Sequence, residues 1–112
     1  MIHNARIGAI NYDVEEVPDL HVIREEKKVR LNGHILHDVG KIRVDADLCH
    51  DVKLVTVWHE LLHGILTVAG HDEQPELIIE TLGYGLVLLL RQNPHLITLT
   101  LEESEHGRTA SG

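Results

Sequence analysis

His59 and His63 stand four residues apart, and Glu60 directly follows the first, in the run Trp58-His59-Glu60-Leu61-Leu62-His63-Gly64. On an α-helix that spacing puts both imidazoles on one face, one turn apart, where their ring nitrogens can share one metal ion. Two neutral imidazoles leave positions for a third protein ligand and a water, a set that suits zinc better than calcium or magnesium. Zinc lowers the pKa of its water to about 7, and a neighbouring carboxylate can then take the proton. The pattern H-E-x-x-H on a helix therefore predicts His59 and His63 as metal ligands, Glu60 as general base and Zn2+ as cofactor.

Histidine makes up 10 of the 112 residues, so a chance match has to be weighed against its context. Val52, Leu54, Val55, Val57 and Trp58 precede the motif, and Leu61, Leu62, Ile65, Leu66 and Val68 continue it. No Pro or Gly falls between Asp51 and His63. These features predict a buried helix over Val52–Ala69, with Asp47 or Asp51 as N-cap and Gly70 just past its end. Three ionisable groups inside an apolar helix cost several kcal/mol unless partnered, and a shared metal supplies the partner.

A second helix is predicted from Pro75 to Gln92, stopped by Asn93-Pro94. Leu77, Ile78, Leu82, Leu86, Leu89 and Leu90 form its apolar face, and Leu86–Leu90, apolar all round, is expected in the core, with an interface as the alternative. If the two helices form an antiparallel hairpin centred near residue 72, His63 faces about residue 81. Glu80 is then the expected third ligand, with Glu76 and His71 as rivals. Gly83 shares the face of Glu76 and Glu80, where it permits close approach to the metal helix.

The remaining elements must carry these helices. Ala5–Val17 reads as a strand or the start of a hairpin, and Glu15–Asp19 as a turn. Leu20–Lys28 reads as a solvated turn or short exposed helix. Val29–His37 reads as a strand, with Asn32-Gly33 a bulge or turn and His34 and His37 exposed on it. Lys41–Asp45 is the cleanest strand, with Ile42 and Val44 on one face. His95–Leu101 alternates like a short last strand or a packed extended segment, and residues 102–112 read as a flexible tail. The expected fold is a single α+β domain over residues 1–112. It is a minimal zinc-hydrolase-like scaffold, a small antiparallel or mixed sheet of about three strands packed on an antiparallel helix pair.

Composition bounds the function. The formal net charge of −8 argues against a nucleic-acid partner, which requires a basic face. Cys49 is alone, so no intramolecular disulfide forms, in keeping with a reducing compartment. Cys49-His50 is too sparse to define a second metal site. The longest uninterrupted apolar run, Leu86–Leu90, is far short of a membrane span. The amino terminus lacks the apolar core of a signal peptide, so the expected setting is the cytoplasm, with no membrane partner.

With its H-E-x-x-H helix, Glu80 followed by Gly83, the Leu-rich stretch behind them and the closing Asn93-Pro94, the chain resembles the zincin metallopeptidases. It is most similar to their glutamate-liganded branch, the ImmA/IrrE-type metallo-endopeptidase domains and small phage proteins of that type. The resemblance spans roughly Val29 to Pro94. It implies a zinc endopeptidase acting on a protein or peptide, with the strand before the metal helix holding the substrate extended. Where larger members carry an Asp four residues after the ligand Glu, this chain has Tyr84. A scaffold that keeps zinc without turnover is the competing expectation. A weaker likeness, of His63-Gly64-Ile65-Leu66-Thr67-Val68-Ala69-Gly70-His71-Asp72 to the YbeY-type endoribonucleases, lacks histidine at Thr67 and has Glu73 where that family has another ligand.

Overall fold

Two strands with clean apolar alternation meet side by side and set the architecture. Tyr12 and Val14 on β2 (Ile10–Val17) and Ile42 and Val44 on β6 (Lys41–Asp45) point to one face, where all four are buried. Their neighbours Glu15, Lys41 and Arg43 point to the other face. There Glu15 pairs with Lys41 at 2.8 Å and with Arg43 at 3.3 Å. The computed structural model describes residues 3–103 and is α+β.

The main sheet is mixed, in the order β1-β2-β6-β5. β1 (Asn4–Ile7) is antiparallel to β2, β2 is parallel to β6, and β5 (Gly33–Leu36) is antiparallel to β6. A separate hairpin, β3 (His21–Arg24) with β4 (Lys27–Arg30), precedes β5. Three helices follow: α1 (His50–Val68), α2 (Glu76–Gln92) and α3 (Pro94–Leu101). α1 lies on the apolar face of the sheet, and Val57 and Leu61 complete the core around Tyr12, Val14, Ile42 and Val44. No helix among the described residues is long and apolar enough to cross a membrane.

Several expectations change. The main sheet has four strands rather than about three, and the separate hairpin brings the total to six among the described residues. Leu20–Lys28 is neither turn nor helix but most of the β3–β4 hairpin. The expected strand over Val29–His37 breaks at Leu31-Asn32 into β4 and β5. His95–Leu101 is helical, because Asn93 and Pro94 start a new helix rather than only ending α2. α1 begins at His50 with Cys49 as N-cap and no side-chain cap, so neither Asp47 nor Asp51 caps it. Asp51 instead pairs with Arg91 at 3.0 Å. Gly70 does follow the helix, at φ +86. Of Leu86–Leu90 only Val87 is buried, and Leu88 and Leu89 are exposed. Of the predicted tail, residues 104–112 lie outside the described residues.

β6, the strand directly before α1, is flanked by β2 and β5, so it has no free edge to hold a substrate. The edge strand beside α1 is β5. Asp45 N donates to Asn32 O at 2.8 Å, so Asn32 faces β6. Antiparallel alternation then turns the backbone groups of Gly33 and Ile35 outward, along the open edge. Arg30 fixes the approach to this strand. Its guanidinium reaches Asp45 at 3.0 Å and Asp47 at 3.2 Å. The backbone N–H of Asp47 and Arg30 together hold the buried Asp45 carboxyl below its ordinary value.

Gly33 lets β5 lie close against α1. A Cβ there would stand 2.5 Å from Thr56 Cγ2 and 2.9 Å from the Arg43 carbonyl oxygen. The second neighbour is backbone and cannot swing aside. Gly33→Ala is therefore expected to destabilise the fold by about 1–3 kcal/mol, the usual cost of overpacking, as read from the urea midpoint. An unchanged midpoint would mean that the helix and the edge strand are not held in this contact.

Candidate metal centre

α1 presents two faces to two partners. Thr56, Val57, Glu60 and Gly64 are its buried residues, on or near the side packed against the sheet. His59 and His63 lie on the flank toward α2, half-buried, with ring centroids 5.0 Å apart. One ligating atom from each of His59, Glu60 and His63 lies within 4.8 Å of the other two, so the structure brings the three motif residues together. His59 and Glu60 line a cleft of about 360 Å3 whose walls also include Arg30–Gly33, Glu76, Glu80 and Tyr84.

Glu60 is 7% exposed, and its Oε2 is buried with no hydrogen-bond partner. Desolvation pushes its carboxyl up to about 7, with Glu76 adding a smaller push and His63 opposing it. A buried carboxylate oxygen without a donor is costly, and a cation or a water at the cleft floor would relieve it.

The third carboxylate is placed differently from the register inferred above. Glu76 reaches both histidines, with Oε2 3.3 Å from His59 Nε2 and Oε1 in contact with His63 Nε2. Glu80 lines the same cleft one turn further on, without a contact to either ring among the ion pairs of the described residues. Two physical effects account for this. Gly83 packs on His59, its would-be Cβ 3.6 Å from His59 Cα, which sets the pairing about two residues, or roughly 3 Å, nearer the loop than assumed. Each four-residue step along α2 also turns about 40° past a full rotation, so Glu76, Glu80 and Tyr84 swing progressively away from α1. The close approach at Gly83 itself is as the sequence suggests.

Gln74, in the loop between α1 and α2, has no sequence signal and proves to be part of the centre. Its Oε1 lies 2.7 Å from His63 Nδ1, while its Nε2 donates to Thr67 Oγ1 at 3.0 Å and to the His71 carbonyl at 2.9 Å. Both amide hydrogens are thus committed, and the oxygen must accept. His63 Nδ1 is then the donor, which leaves Nε2 facing the Glu76 carboxylate. A cation between this nitrogen and the carboxylate would satisfy both. The donor set fits zinc: two imidazoles, one carboxylate within reach, and a hydrogen bond on the far nitrogen of a ligand.

Thr67 and His71 take other roles. Thr67 Oγ1 also lies 3.4 Å from His37 Nε2, and His37 Nδ1 lies 3.1 Å from Tyr12 Oη, so this chain of contacts ends in the sheet core. His71 serves the centre through its carbonyl. His37 is thus a linked residue rather than a merely exposed one, and His34 has a buried, unpartnered Nε2 on β5. The single cysteine, Cys49, is exposed and belongs to no metal-ligating group among the described residues.

No protein-family model, no curated protein and no solved structure matches this chain.

Gln74→Ala should lower zinc affinity by about tenfold or more, the scale for outer hydrogen-bond partners of metal ligands. Chelator competition measures that loss. Nitrogen chemical shifts of the His63 ring in metal-free protein should also report a mixed tautomer in the variant. Paired substitutions test the ligand assignment: Glu76→Ala should lose more affinity than Glu80→Ala, and the reverse order would restore the register inferred from sequence.

Proposed function

We propose that this chain is a zinc-dependent metallo-endopeptidase built on a minimal zincin-like scaffold. The observation that carries the reading is the buried, unpartnered Oε2 of Glu60 beside two imidazoles whose Nε2 atoms face one carboxylate. A purely structural zinc site has no use for such a group, whereas hydrolysis needs a base there. His59, His63 and Glu76 would hold the zinc, with Glu80 the nearest alternative carboxylate. When bound, the ion would polarise a substrate carbonyl and acidify a water.

The rest of the chemistry falls to the chain itself. Glu60 accepts the water's proton at its free oxygen and delivers it to the departing amine, as a positioned carboxylate can. The open edge of β5 offers the backbone groups of Gly33 and Ile35 to an extended peptide, which would add as a further strand beside the cleft. Arg30 and Tyr84 stand on the walls where substrate side chains would pass. Strand addition suits a flexible segment of a protein better than a folded surface. The formal charge of −8 disfavours the ribonuclease alternative.

The test is a peptide library incubated with zinc-loaded wild type and with Glu60→Gln. The variant should keep its metal and lose activity by about 10²–10⁴-fold, because glutamine preserves shape without accepting a proton. Zinc content near one per chain with no cleavage by wild type would favour a non-catalytic scaffold instead. Failure to take up any transition metal would end the metal reading altogether.

A further inference from the structure

The face of the helical layer turned away from the cleft is apolar and uncovered. On α2, Ile78, Leu82, Gly85 and Leu89 recur at spacings of four, three and four, which places them along one stripe. Ile78, Leu82 and Leu89 are 56%, 51% and 59% exposed. The stripe is bordered by Trp58 of α1 and by Leu96 of α3, while Ile65, two turns on from Trp58 along the same helix face, is half-exposed. Trp58, Leu89 and Leu96 border a groove of about 480 Å3.

We infer that this face binds a second copy of the chain, the two α2 helices crossing at Gly85. Four observations favour a second copy over other occupants. First, Gly85 has no reason within one chain: a Cβ there would meet nothing within 4 Å, whereas Gly83 packs on His59. A helix-interior glycine is unfavourable, and close approach of a second helix gives this one a purpose. Second, the stripe follows the heptad spacing by which helices pair with one another. Third, charge is sparse along most of the stripe. Each copy carries a formal −8, yet from Thr81 to Leu101 the only Asp, Glu, Lys or Arg is Arg91, already paired with Asp51. Two acidic copies can meet at this neutral end with the least repulsion.

The fourth observation is size. The half-exposed Ile65, Ile78, Leu82, Leu89 and Leu96 present on the order of 500 Å2 per copy. With the groove walls between them, that approaches the roughly 800 Å2 per partner of a standard specific interface. The contact would be isologous, the same stripe from both copies about a two-fold axis, leaving both clefts open on the outer sides.

Sedimentation equilibrium of the full chain over a concentration series tests this. Wild type should show twice the 12.6 kDa of one chain. Gly85→Leu fills the crossing point, and Leu89→Lys places charges face to face. Each should weaken the dimer by at least about thirtyfold, the scale of an interface hot spot. Helical circular dichroism should be retained in Leu89→Lys, whose side chain is already exposed, and zinc affinity should not change. A wild type that sediments as a single chain at every concentration overturns the inference. So does a Leu89→Lys variant that remains as dimeric as wild type.

Discussion

The burial of the Glu60 carboxylate between α1 and the edge of the sheet is the constraint on which the other features depend. Glu60 sits on the helix side that packs against β5 and β6, so the sheet must come close enough to cover it. Gly33 permits that approach, its would-be Cβ 3.7 Å from Glu60 Cγ. Gly64, one turn further along α1, does the same under Ile7 and Ile35. Covering the carboxylate removes it from water and raises its pKa, while the cleft leaves one direction open. The sheet edge, the helix and the buried carboxylate are thus parts of one arrangement: loosen the contact and Glu60 becomes an ordinary solvated glutamate.

The histidines are held from the opposite side. His63 lies on the flank toward α2, where its ring contacts are with Gln74 of the loop and Glu76 of α2. Gln74 orients the ring, and the amide is fixed because both of its hydrogens have other acceptors. Thr67 and His37 extend the contacts to Tyr12, one of the most deeply buried side chains. A motion of the α1–α2 loop would therefore be felt at His63 and in the sheet core together.

What the sequence disclosed, and what it concealed, follows from the range of the interactions. The H-E-x-x-H face, the α1 and α2 spans and the strand at Lys41–Asp45 are periodic patterns, and they appear within a residue or two of their expected bounds. The β3–β4 hairpin was hidden because its two-residue turn is Glu25-Glu26, both at positive φ, where a legible sequence would have Asn-Gly. His95–Leu101 alternates as a strand would, but its threonines bond back to carbonyls four residues earlier, at 3.3 Å for Thr98 and 2.6 Å for Thr100, and the segment is helical. The choice between Glu76 and Glu80 turned on a shift of two residues between helices. No local pattern encodes that shift, which is set by where Gly83 meets His59.

The exposed leucines of α2 carry the same lesson further. The run Leu86–Leu90 is apolar all round, and among the described residues the buried side of α2 is the one bearing Ile79, Gly83 and Val87. Helix propensity does not explain the rest, because a glycine at position 85 weakens the helix, and neither does solubility. The two glycines, two residues apart, point in nearly opposite directions around α2. Gly83 admits the metal helix on one side. Gly85 leaves equal room on the other, and the side chains bordering that room are shaped and spaced for a helix, not for water. The sequence of α2 is thus the sequence of a helix packed on two faces, of which the single chain fills one.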